Sequence, residues 1–127
     1  MGIEQNLSPI KIKSFTELHA WQEGHKLVLL IYRETVNFPV SERFSLTDQI
    51  RRAAISITSN IAEGFSRYSK NEKKQFYRIA LGSLTEVQNQ LLIARDIGYL
   101  SEEKFIVLAE KTVVVSKLIN GLIKVLS

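Results

Sequence analysis

Between its few breakers this sequence repeats apolar residues at spacings of three and four, not two, and that habit narrows the fold more than any other feature. Only two prolines and six glycines interrupt 127 residues, so the periodic stretches are long, and long stretches of that period predict helices. Ser14 with Glu17 reads as a capping box opening a first helix, which runs to about Asn37 before Phe38-Pro39 stops it. Trp21, Val28, Ile31, Tyr32 and Thr35 share its inner face. Ser45 with Asp48 predicts a second cap and a helix through about Phe65, with Leu46, Ile50, Ala53, Ile57 and Ile61 in one stripe. Ser69 with Glu72 opens the third and longest helix, ending near Ile97 where Gly98 suits the left-handed C′ position. Ser101, followed by two acids, starts a fourth that continues almost to Ser127. Short connections make each helix run against its predecessor, so the expected fold is all-α, an antiparallel up-down-up-down four-helix bundle. Residues 1–14 have no sustained period and are expected as a flexible N-terminal arm before a bundle domain over 15–127.

Composition removes several function classes. A hydrophobic fraction of 45% suffices for one core. No cysteine is present, and His19 and His25 stand six apart, so no metal site and no cofactor is expected. The N-terminus lacks a basic-then-apolar signal pattern and no apolar run approaches the roughly 18 residues of a membrane span, which makes a soluble, cytoplasmic chain the expectation. There is no Gly-rich phosphate loop, Gly-x-Ser-x-Gly elbow, His-Glu-x-x-His or cysteine nucleophile, so no catalytic residue is assigned and the chain is expected not to be an enzyme. A pocket gathering His25, Asn60 and Glu63 would point the other way.

The charge has a location. Residues 66–78 hold Arg67, Lys70, Lys73, Lys74 and Arg78 against Glu72, a balance of 5 − 1 = +4, which equals the net charge of the whole chain. Such a concentrated excess is the electrostatic footprint for a polyanion. On the third helix Lys70, Lys74 and Arg78 follow i, i+4 steps and form a ridge nearly opposite the core face of Phe76, Ala80, Ser83, Leu84, Val87, Leu91 and Ala94, while Lys73 lies off it. Arg51 is expected to point outward and extend the patch. The candidate nucleic-acid contacts are therefore Arg51, Arg67, Lys70, Lys73, Lys74 and Arg78. Tyr68 and Tyr77 are the only evident aromatic platforms beside them, so backbone contact is expected to outweigh base reading.

A second surface is apolar. Phe105, Leu108, Thr112, Val115, Ile119, Leu122 and Leu126 make the inner face of the fourth helix, yet Val107, Val114, Leu118 and Val125 form another stripe, with Glu103, Glu110, Lys117 and Lys124 as a narrow polar strip beside it. One subunit cannot bury both stripes, so with Leu81 and Leu92 on the third helix these residues are a predicted oligomer interface; Tyr77 is placed on the same outer surface. Gly82-Ser83 is expected at a close approach to Ala53, Ser56 and Asn60. Arg52, Asn60, Glu63, Ser83 and Glu86 are expected as a structural polar cluster, with Arg52 paired to Glu86 or Glu63.

Trp21, Phe38-Pro39, Phe44, Leu46, Gln49 to Ala53, Ser56, Asn60 to Gly64, then Ala80 to Ser83 with Glu86, and Gly98-Tyr99 follow a recognisable order. Over about residues 15 to 126 the chain resembles the bacterial four-helix bundle proteins called 23S ribosomal RNA intervening-sequence proteins, a name that reflects where some of their genes lie. It is also similar in fold to the accessory variability determinant of diversity-generating retroelements, whose subunits form a barrel-like homopentamer that binds nucleic acid and a reverse transcriptase. The resemblance implies a ring of about five subunits with a basic surface. The expected function is a non-enzymatic homo-oligomer that binds structured RNA or DNA; the alternative is a protein-interaction scaffold for a reverse transcriptase or another host factor.

Overall fold

The computed structural model describes residues 10–12 and 14–127. Four α-helices follow one another: α1 His19–Thr35, α2 Leu46–Ser66, α3 Lys70–Asp96 and α4 Glu102–Val125, with single 3-10 turns at Phe15–Glu17 and Val40–Glu42. No strand occurs among the described residues. Most of the expected arm, residues 1–9 and 13, lies outside them. Each helix packs on its two neighbours around a square, with α2 and α3 the most intimate pair. The fold is the antiparallel four-helix bundle that the spacing predicts.

Leu27 and Ile31 from α1, Ile50, Ile57 and Ile61 from α2, Leu84 and Leu91 from α3, and Leu108 and Ile119 from α4 lose nearly all contact with solvent. At about 1.5–3 kcal/mol for each fully buried aliphatic side chain, this shared centre is the main cohesion of the bundle. The α2 stripe is buried throughout, as its spacing predicts.

Two starts differ from expectation. Ser14 and Glu17 bracket the short 3-10 turn; Leu18 is extended at φ −77°, ψ 130°, and α1 begins only at His19. The inner face of α1 is consequently Ala20, Gly24, Leu27, Ile31 and Thr35, with Trp21 half-buried and stacked on His25 at 4.7 Å, and Tyr32 exposed. Ser45 makes no side-chain cap bond to α2. Glu42 does that work from the preceding turn, where its Oε1 accepts from the Leu46 N–H at 3.3 Å.

The other caps match their signatures. Ser69 Oγ accepts from the Glu72 N–H at 3.1 Å and donates to Glu72 Oε1 at 3.2 Å, and Ser101 accepts from the Lys104 N–H at 3.2 Å. Gly98 closes α3 at φ +87°, where a β-carbon would be strained. The turn it makes swings Tyr99 onto Phe38, with ring centroids 5.4 Å apart, and the Tyr99 hydroxyl donates to Glu42 Oε2 at 2.9 Å. The α3–α4 turn is thereby latched to the α1–α2 connection.

The close approach between α2 and α3 falls elsewhere than on Gly82, whose missing β-carbon would meet nothing within 4 Å. Ser83 carries the contact, its Oγ 2.7 Å from Ser56 Oγ, while Asn60 Nδ2 donates to the Ser56 carbonyl at 2.8 Å. The tight glycine is Gly64: a β-carbon there would stand 2.7 Å from Tyr77 Cε1. That gap admits the Tyr77 ring, which is only 4% exposed, so Tyr77 belongs to the core and not to the outer surface. Its angular position alone puts it on the flank of α3; the slot left by Gly64 draws it inward, and burial raises its hydroxyl pKa above the ordinary value.

Candidate nucleic-acid interface

The basic segment occupies the corner where α2 ends and α3 begins, and the cations there divide into two groups. Arg67 and Lys73 are held by the corner itself. Arg67 Nη2 meets Glu63 Oε2 at 2.7 Å and its guanidinium lies 4.7 Å from the centre of the Phe76 ring. Lys73 Nζ donates to the Phe65 carbonyl at 2.6 Å and to the Gly64 carbonyl at 3.4 Å, over the Phe65 ring. A lysine at this point satisfies the last carbonyls of α2 and opposes its negative dipole end.

Lys70, Lys74 and Arg78 differ. Among the described residues none of them has a carboxylate within 4.0 Å. Lys70 and Arg78 are exposed and Lys74 is half-buried at the edge of the bundle. Their i, i+4 steps rise about 6 Å each along α3. Tyr68, in the connection ahead of the ridge, is 99% exposed.

Arg51 stands apart from this corner. Ser66 lies fifteen positions further along α2, about 22 Å along the axis. Its Nε donates to Thr35 Oγ1 at 2.8 Å and its guanidinium lies 4.6 Å from the centre of the Tyr32 ring, so it joins α2 to the end of α1.

The expected polar cluster disperses. Arg52 pairs with Asp48 at 3.6 Å, one helical turn back, while Glu63 takes Arg67 and Glu86 accepts from Gln90 Nε2 at 3.5 Å. Only Asn60 and Ser83 come together, through Ser56. Arg52, Glu63 and Glu86 are all exposed, and each meets a partner four residues along its own stretch of chain instead of crossing between helices. His25, Asn60 and Glu63 sit in separate contacts with Trp21, Ser56 and Arg67. Among the described residues no three His, Asp or Glu side chains are grouped to hold a metal ion. None of the helices is long and apolar enough to cross a membrane, among those residues.

The second apolar surface is real but divided. Val107, Val114 and Val125 on α4 are exposed, Leu118 is half-buried, and Val107 borders a groove with Leu30 of α1. On the other side of the strip Ile106 and Val113 are exposed, and Val113 lines a groove with Leu92 and Leu91 of α3. Leu81 packs partly against the core. The sequence reading missed Ile106, Val113 and Ile93, whose signal was the same excess of apolar residues over what one face can hold.

A family model described as 23S rRNA-intervening sequence protein matches residues 16–121. Among solved structures, the chain is similar to a protein with unknown function from the S23 ribosomal protein family of Bacteroides thetaiotaomicron, at 23% identity and a TM-score of 0.74, covering 83% of this chain and 98% of that one. That likeness speaks for the fold. Curated proteins give no match.

Proposed function

Because the chain belongs to the 23S rRNA-intervening sequence protein family, we propose that it is a non-enzymatic, homo-oligomeric bundle that binds structured RNA or DNA through the α2–α3 corner. The observation that carries this reading is the unpaired ridge: the chain's net charge of +4 is concentrated in one segment, and three of its cations are left without a carboxylate partner among the described residues. A surface ridge of that kind gains by displacing counterions from phosphates, which supplies most sequence-independent affinity. Arg67 and Lys73 hold the corner in shape and contribute field without reaching out.

The exposed apolar surface of α4 supports the oligomeric part of the reading. Two apolar faces flank α4, one shared with α1 and one with α3, and contact between unlike faces of successive copies gives a ring when the rotation from copy to copy divides a full turn. Five copies, the number the family resemblance suggests, would present five ridges at once, each raising the effective concentration for the next. The exposed valines equally suit a partner protein, and in the scaffold reading they dock a reverse transcriptase or another host factor.

Filter binding of labelled structured RNA and duplex DNA across a salt series tests the proposal. Three phosphate contacts per subunit predict about a 40-fold loss of duplex affinity between roughly 50 and 200 mM salt, and about 20-fold for an unpaired strand. Changing Lys70, Lys74 and Arg78 together to Glu should weaken binding by at least about tenfold and flatten the salt slope. Unchanged affinity in that variant would remove the proposal and leave the scaffold reading.

A further inference from the structure

We infer that the α2–α3 corner takes an unpaired stretch of nucleic acid, with one base stacked on Tyr68 and the following phosphates running along Lys70, Lys74 and Arg78. The inference rests on the nucleic-acid reading above and adds the class of ligand.

The structure separates the two tyrosines that bracket the basic segment. Tyr77 is buried against Gly64, whereas Tyr68 is 99% exposed in the connection between Ser66 and Lys70. A side chain with so little protein around it contributes almost nothing to the bundle, and its ring keeps both faces open. Its immediate surroundings are fixed. Arg67 just before it is clamped between Glu63 and Phe76, and Ser69 just after it caps α3. Lys73 ties α3 back to the last carbonyls of α2. The ring is therefore carried on a rigid base, so a stacked base would cost little ordering of the protein.

The exposed ring, not the ridge, favours one strand over two. Lys70, Lys74 and Arg78 form a single line with steps of about 6 Å, which suits one phosphate backbone whether it is unpaired or one strand of a duplex. A base paired within a duplex hides its faces in the stack, so Tyr68 has nothing to stack on there; in RNA loops, bulges and ends the faces are free. A positive track beside an aromatic platform is the arrangement by which unpaired strands are held, and it tolerates any base because every base has a π-face. Structured RNA with open loops satisfies both the ridge and the ring.

Fluorescence anisotropy with an end-labelled, unstructured RNA of about 12 nucleotides, and with a matched duplex, separates the steps. Three variants are compared: Tyr68→Ala, Tyr68→Phe, and the pair Lys70→Glu with Lys74→Glu. Tyr68→Ala should weaken single-strand binding about tenfold and leave duplex binding within about twofold, while Tyr68→Phe keeps the single-strand affinity. The charge reversals should weaken both ligands. Single-strand affinity untouched by Tyr68→Ala, or equal losses on strand and duplex, overturns the inference while leaving the cationic reading in place. No effect of the charge reversals overturns that reading itself. The circular dichroism of each variant should match the parent, since all the altered side chains except half-buried Lys74 are exposed.

Discussion

At the scale of single residues, Gly64 of α2 and Gly82 of α3 behave oppositely. Gly64 leaves the space that the Tyr77 ring fills, so Gly64→Ala drives a β-carbon into a buried ring that cannot retreat. Overpacking of this kind costs about 1–3 kcal/mol. Gly82 is exposed in the middle of α3 with nothing near its missing β-carbon, and Gly82→Ala should stabilise by about 0.5–1 kcal/mol through helix propensity. Urea denaturation of the two variants should show midpoint shifts of opposite sign. The carboxylates make a second prediction. Glu42 is held below the ordinary value of 4.5 by the Tyr99 hydroxyl and then by the Leu46 N–H, and Glu23 is held below it by Lys111 and then Lys26. Both folded values are depressed, so the stability they add is fully present above 4.5 and is lost as pH falls through the lower folded value. The urea midpoint should change little between about pH 7 and 5 and fall below that, and Tyr99→Phe should make the fall shallower.

At the scale of elements, equal cap signatures acquire unequal roles. Ser69 accepts from the Glu72 N–H and begins α3, so Ser69→Ala should cost about 1 kcal/mol. Ser45 holds the same place before α2 without a side-chain bond to the helix backbone, where Glu42 accepts from Leu46 instead. Ser45→Ala should lie within about 0.5 kcal/mol of the parent. Thermal unfolding of both variants checks the difference. A capping motif records which residues can bond, and neighbouring chain decides which of them does.

At the scale of the whole molecule, Val107 and Val114 of α4 are exposed, as are Leu92 and Ile93 on α3. In the oligomeric reading the native mass exceeds the 14.5 kDa of a single chain. Replacing Val107 and Val114 with Glu should return it to that value and leave the helical signal intact, because both side chains point to solvent in the subunit. Multi-angle light scattering at micromolar concentration reads the outcome, and a parent chain of 14.5 kDa removes the ring. The basic corner lies toward the opposite end of α2 from Arg51, so within a subunit that arginine does not extend the ridge.

The sequence by itself determined the helical class, the four elements, the α2 stripe, the Ser69 and Ser101 caps and the turn at Gly98, because each depends on residues within a few positions of one another. It also located the charge excess and the surplus of apolar surface, which are matters of counting. Only the tertiary structure decided which cations are free, since Arg67 and Lys73 are occupied by Glu63 and by carbonyls at the end of α2. It alone buried Tyr77, left Tyr68 in solvent, turned Arg51 toward Thr35 and scattered Arg52, Glu63 and Glu86 among separate partners. Periodicity fixes the angle of a side chain around its own helix, but its contacts depend on how closely the next helix approaches, and at Gly64 and Ser83 that distance is set by atoms on both sides of the interface.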